Sequence, residues 1–136
     1  MRGKAFFDTN ILLYLYSEDE PEKQKVSIKT VHSYQCPTVS TQVINEVINI
    51  LFRKMHVKWD AIERVISEVE QVFTIEVVTI SIIRQACKIA ERYQYSYYDS
   101  VILASALSSD CTLLVSEDMQ HGQLIDNQLR ILNPFK

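Results

Sequence analysis

Ala5-Phe6-Phe7-Asp8-Thr9-Asn10-Ile11-Leu12-Leu13-Tyr14-Leu15-Tyr16 sets one charged residue between two apolar runs. The first run is short, aromatic and unbroken, the pattern of a strand covered on both faces. The second continues for more than a helical turn. The stretch predicts a strand over 4–8 and a short helix over 10–16 that Asn10 caps, with Asp8 at the junction between them. A carboxylate placed there calls for a reason, because taking an unpaired charge out of water is costly.

Working outward, the same alternation of strand and helix recurs. Pro21 suits a first helical turn, and Val26, Ile28 and Val31 give the helix that follows it an inward face. Cys36 to Val39 reads as a brief strand. Ser40 or Thr41 then caps a helix through about Met55 whose stripe is Val43, Val47, Ile50 and Leu51. Trp59, Ile62, Val65, Ile66 and Val69 mark another helix, handing over to the β-branched run Ile75 to Thr79. Helices are expected over 81–93 and 97–108. Cys111 to Val115 is a continuous apolar strand, and Leu129 to Leu132 a last one, stopped by Asn133-Pro134. Single strands separated by helices, apolar on both faces, predict an α/β fold with a mostly parallel central sheet of four or five strands flanked by helices.

The chain has 136 residues, two glycines and three prolines, with no repeat or low-complexity run, so one domain over 1–136 is expected. Its net charge of -3 argues against holding nucleic acid mainly by a basic surface. It does not argue against a nuclease that recruits divalent cations, which bring their own positive charge. Three widely spaced cysteines without a CxxC suggest neither a disulfide framework nor a zinc knuckle and fit a reduced, cytoplasmic setting. Arg2 and Lys4 before an apolar run faintly imitate a secretory signal, but Asp8 and Asn10 interrupt it. No run reaches the length of a membrane span.

The acidic residues are where the pattern departs from an ordinary globular domain. In an open parallel sheet, chemistry collects beyond the carboxyl ends of the strands. Asp8 lies at one such end, and Asp118, in LLVSEDMQ, just past another. Glu46 follows Val43 by three positions and precedes Ile50 by four, so it shares an apolar helical stripe; Asp99 stands similarly before Ile102 and Leu103. A helix N-terminus offers an anion only about 0.3–1 kcal/mol, too little to offset burial of an unpaired carboxylate. Each acid alone has a plainer reading: Asp8 as a cap, Asp99 as a helix-start residue, Glu46 paired with Arg53 or Lys54, Asp118 as a turn residue. Together they have few basic partners of matching placement, and oxygen ligands of this kind suit Mg²⁺ or Mn²⁺.

FFDTNILLYL, VSTQVINEVINIL, YSYYDSVILASAL and LLVSEDMQHGQ, in that order and ending LRILNPF, resemble the PIN-domain ribonucleases, most nearly the VapC-type toxins of bacterial toxin–antitoxin pairs. The resemblance runs over essentially the whole chain. It implies a PIN-like three-layer fold and a metal-dependent endoribonuclease whose acidic cluster is Asp8, Glu46, Asp99 and Asp118. It also implies supporting roles for Thr9, Asn10 and Ser116, with Glu117 as an additional carboxylate. An RNA substrate, a small antitoxin partner and a homodimer belong to the same expectation. Asp8 and Asp99 are expected to hold the principal ion, and Glu46 and Asp118 to complete the site directly or through water.

Other polar residues carry less. His121 is expected to be structural or solvent-exposed, and Arg53, Lys54, His56 and Lys58 to form a solvated helix end. Tyr93, Tyr95, Tyr97 and Tyr98 are expected to pack in the core or an interface rather than stack on bases. Two rivals share parts of the pattern. A haloacid-dehalogenase-type phosphatase needs a second Asp two residues after the first, where this chain has Asn10. A PIN-like binding module without nuclease activity would need no such cluster of acids.

Overall fold

β1, Ala5–Phe7, is fully buried and lies in the middle of a six-stranded sheet of order β3-β2-β1-β4-β6-β5. The computed structural model describes residues 3–136; Met1 and Arg2, the ends of the expected domain and of the basic N-terminal stretch, lie outside the described residues. Phe6 and Phe7 are wholly buried, each withdrawal from water being worth roughly 1.5–3 kcal/mol, and Phe7 meets Tyr34 and Phe73 edge-on.

The helix after this strand, α1 (Thr9–Tyr16), begins one residue earlier than expected. Asp8, not Asn10, is its cap: Asp8 keeps an extended backbone, its Oδ1 accepts from Thr9 N–H at 2.7 Å, and its carbonyl takes the N–H groups of Ile11 and Leu12. Asn10 is therefore a helical residue with a side chain free for other work. α2 (Pro21–His32) leads to β2 (Pro37–Ser40), and Ser40 then caps α3 (Thr41–Arg53), whose Oγ accepts from Val43 N–H at 3.3 Å.

α4 (Trp59–Val72) precedes β3 (Thr74–Glu76), which starts and stops earlier than the β-branched run suggests. Its partner β2 ends at Ser40 opposite Glu76, so the ladder stops there. Val78 N–H turns instead to the Thr41 hydroxyl at 3.1 Å, and Thr79 caps α5 (Ile80–Tyr93). β3 is also an edge strand, partly exposed, and not covered on both faces.

α6 (Tyr97–Ser108) is buried on every side from Ser100 to Leu107 and feeds β4 (Leu113–Val115). β5 (Leu124–Ile125) and β6 (Leu129–Leu132) form the one antiparallel pair in a sheet otherwise paired in parallel among the described residues. β5 brings the sheet to six strands where four or five were expected. It is two residues long, too short to leave a period in the sequence, and is returned by Asp126 and Asn127, both at positive φ, in a hairpin turn.

The topology fixes where the site must lie. From β1 the chain steps outward through β2 to β3, then returns to the other side of β1 for β4 and β6. Right-handed crossovers running in opposite directions put α1 to α4 on one face and α5 with α6 on the other, with the sheet as the middle of three layers. The strand order reverses between β1 and β4, and the crevice at such a switch point is where an open α/β sheet binds its ligands.

Candidate active site

Asp8 follows β1 and Ser116 follows β4, so the two side chains emerge next to each other at the carboxyl edge of neighbouring parallel strands. Both junctions are held by sheet bonds: Asp8 N–H donates to Val115 O at 3.0 Å, and Ser116 N–H to Leu132 O at 2.9 Å. The Ser116 hydroxyl donates to Asp8 Oδ2 at 2.8 Å. Asp8 is 6% exposed. Burial lifts its carboxyl from 3.8 to about 6, against the hydrogen bonds from Ser116 and Thr9 that pull it down, and the charges of Asp99 and Glu46 add to the rise.

Glu46 and Asp99 lie near enough for their charges to act on Asp8, and Asp118 near enough to act on Asp99, each set by its own segment. Glu46 is brought in by α3, whose Val43, Val47 and Leu51 are buried and turn that face inward. Its Oε2 accepts from the Thr9 hydroxyl at 3.3 Å and its Oε1 from Gln42 Nε2 at 2.8 Å. Asp99 stands in the first turn of α6, where Ser96 caps its N–H at 3.2 Å. Burial raises the Asp99 carboxyl, Ser96 opposes, and the charge of Asp118 adds to the rise. Asp118 is exposed, and its Oδ2 accepts from Asn10 Nδ2 at 2.6 Å. The four acids are thus not equally buried: Asp8 is buried, Glu46 and Asp99 are half-buried, and Asp118 faces solvent.

Thr9, Asn10 and Ser116 each hydrogen-bond one of these acids. Glu117 does not join them. Its carboxylate takes the Tyr14 hydroxyl at 2.6 Å and forms an ion pair with Lys23, whose ammonium also lies over the Tyr14 and Phe135 rings. Burial pushes the Glu117 carboxyl up, but Lys23 and Tyr14 outweigh it and leave it below the usual carboxylate range. Sequence reading had no access to Lys23, which lies 94 positions away. It also passed over Gln42, although a glutamine four residues before a helical glutamate is a neighbour on the same face. His121 is exposed and its Nδ1 accepts from Asn133 N–H, a structural contact.

Among the described residues, no lysine or arginine pairs with Asp8, Glu46, Asp99 or Asp118. The donor set is oxygen only and crowded with like charge, which fits a hard divalent cation. Among the described residues, no three acidic, histidine or cysteine side chains stand close enough together to hold one ion.

The model of the PIN domain matches residues 5–124, most of the chain and every element from β1 into β5. The chain belongs to the PIN domain family. The match spans the carboxyl ends of β1 and β4 and both acid-bearing helices, α3 and α6. No curated protein matches the sequence significantly.

Solved PIN-like structures are similar in fold. One chain of a toxin–antitoxin complex from Klebsiella pneumoniae superposes with a TM-score of 0.73 at 21% identity, covering 96% of this chain and 97% of that one. VapC20 of Mycobacterium tuberculosis, described as a sarcin–ricin loop cleaving toxin, gives 0.66 at 19% identity over 81% and 86%. A chain of VapBC2 from Rickettsia felis, solved bound to a promoter DNA fragment, gives 0.66 at 14% identity over 96% and 99%. The PIN family to which the chain belongs includes nucleases of the VapC type. Among the described residues, no helix is long and apolar enough to cross a membrane.

Proposed function

We propose that this single-domain protein is a divalent-metal-dependent endoribonuclease and the toxin of a toxin–antitoxin pair. The observation that carries the reading is Asp8. A buried carboxylate at the switch point of the sheet, lifted to about 6 and crowded by other acids, has no cationic partner among the described residues. Such an arrangement is costly for a structural role and useful for a cation-dependent one.

Asp8 and Asp99 would hold the principal ion, Mg²⁺ or Mn²⁺, with Glu46 and Asp118 completing the site directly or through water. The bound ion supplies charge stabilisation to the phosphodiester and acidifies water beside it. The remaining work falls to the chain itself. Ser116 and Thr9 N–H orient the Asp8 carboxylate, Thr9 and Gln42 fix both oxygens of Glu46, and Asn10 holds Asp118 toward the cleft. The rigid strand ends keep these groups in register.

Assembly of the structural neighbours with antitoxins supports a small antitoxin partner, whose arginine or lysine would reach Asp8 or Asp99 to block the cleft. Exposed Val77, Ile80 and Tyr97 offer apolar area consistent with a homodimer. A cytoplasmic location belongs to the same reading. A phosphatase of the haloacid-dehalogenase type is disfavoured, because Asn10 is occupied with Asp118 and offers no acid.

The test is cleavage of a mixed pool of structured cellular RNAs by the purified protein with Mg²⁺, with Mn²⁺, with chelator, and by Asp8→Asn. Cuts that need the cation and vanish in the variant are expected. A folded protein that cuts nothing, and whose thermal stability responds identically to the cation with and without Asp8, would return the chain to a non-catalytic binding role.

A further inference from the structure

Beside the acidic cluster, on the side of Glu46, lies a cavity of about 400 Å³ lined by Gln42, Asn45, Glu46, Asn49 and Tyr98. Its chemistry is unlike that of the cluster it adjoins. Three of the five residues are carboxamides, and four of the five come from the same face of α3 at spacings of three and four. Gln42 is fixed: its Nε2 donates to Glu46 Oε1 at 2.8 Å and to Tyr98 O at 3.2 Å, so its Oε1 is left to accept. Asn45 and Asn49 are exposed, each with a donor and an acceptor to offer. Tyr98 is 66% exposed, and its ring meets Tyr97 edge-on, 5.3 Å between centroids, instead of entering the core.

We infer that this cavity takes one unpaired nucleobase of the RNA strand next to the scissile phosphate, read by the carboxamides of Gln42, Asn45 and Asn49 and stacked on Tyr98. The inference rests on the nuclease reading for the identity of the strand. A phosphate is a poor occupant, because no cation lines the cavity and Glu46 repels it. A purely apolar ligand would strand three carboxamides. A base edge presents donors and acceptors in one plane, which a carboxamide matches bidentately, and its π-face suits an exposed tyrosine. Sharing Glu46 places such a base one step from the acids, so the cavity would choose which nucleotide sits at the cut.

The experiment separates this inference from cleavage. Asp8→Asn protein in Mg²⁺ is titrated with fluorescent single-stranded oligonucleotides of A, U, G or C, and the same is done in that background with Asn49→Ala, Asn45→Ala and Tyr98→Ala. The parent should prefer one base by roughly tenfold, adenine being the expected favourite because its N6/N7 edge pairs with a carboxamide. Asn49→Ala or Asn45→Ala should flatten that preference, and Tyr98→Ala should weaken all four by about tenfold. Unchanged preference and affinity in all three variants, with circular dichroism confirming their fold, overturns the cavity as a base site even if the protein with Asp8 intact cuts RNA. Base-selective binding lost in the variants upholds it even if no RNA is cut, and the nuclease reading then falls alone.

Discussion

The Ser116 hydroxyl reaches Asp8 Oδ2 at 2.8 Å across 108 positions of chain, and both side chains are buried. The bond joins the carboxyl ends of β1 and β4, where the strand order reverses. It also favours the ionised form of Asp8, since a hydroxyl donating to a carboxylate stabilises the charge. Ser116→Ala should therefore raise the Asp8 carboxyl further above 6. The expected result is a cleavage–pH profile whose acidic limb moves to higher pH, with activity recovered in alkaline buffer and in Ser116→Thr. A profile unmoved in Ser116→Ala would mean that the hydroxyl only satisfies Met119 N–H, which it also accepts at 3.3 Å.

Asp8 makes stability depend on pH in an unusual direction. Its folded value is about 6 and its ordinary value 3.8, so between them the folded chain holds a proton that the unfolded chain has released. Stability in chelator should then fall as pH rises from about 4 to about 6 and level off above, by about 3 kcal/mol for this group. Urea denaturation of Asp8→Asn at pH 4, 5, 6 and 7.5 should lack that decline, its advantage over the parent growing with pH. Added Mg²⁺ at pH 7.5 should restore the parent, because a cation favours the ionised form. Parallel pH dependences for the two proteins would show that Asp8 titrates normally.

How much of this was legible in the sequence depends on the range of the interaction. Asp8 announces itself because a charge after Phe6-Phe7 violates a local pattern, and the helix expected over 97–108 matches α6 because its apolar run is local. Glu46 and Asp99 could be assigned to their helical faces by spacing alone. What spacing cannot give is the partner across the fold. Glu117 and Asp118 are equivalent neighbours on paper, and only Lys23 and Tyr14 from the α1–α2 pair decide that one is turned away. Likewise Tyr93 and Tyr95 are half-buried, bonding Asp126 and Gln123, while Tyr97 and Tyr98 are exposed and so lie outside the core, which the expectation of core or interface packing left open. β5 escaped because two residues and a turn carry no period.

Phe7 couples the core to the site. Its ring lies 5.9 Å from Phe73 at 73° and 6.2 Å from Tyr34 at 69°, and the next residue is Asp8. Phe7→Ala should cost about 3–5 kcal/mol in denaturant melts, through lost burial and a cavity in the middle of the sheet. Phe7→Leu should lose much less. Because β1 is pinned to β4 through the Asp8 and Ser116 bonds, Phe7→Leu should keep cation-dependent cleavage, whereas a loss of cleavage without a loss of stability would show that the ring itself orients Asp8.

The sharpest contrast is between two adjacent acids. Asp118 Oδ2 is held at 2.6 Å by Asn10, beside Asp8 in sequence, while Glu117 is neutralised by Lys23 and hydrogen-bonded by Tyr14. If the cleft acts through a cation held by carboxylates facing it, Asp118→Asn should reduce cleavage by roughly a hundredfold or more and weaken Mn²⁺ binding, since even groups that only orient ligands are worth about 10–100-fold. Glu117→Gln removes an acid of the same sequence neighbourhood but opposite orientation. It should cut RNA at close to the parental rate and show its effect in stability, because the Lys23 partner is lost. Equal losses of activity in the two variants would mean that Glu117 swings into the cleft when RNA or cation binds.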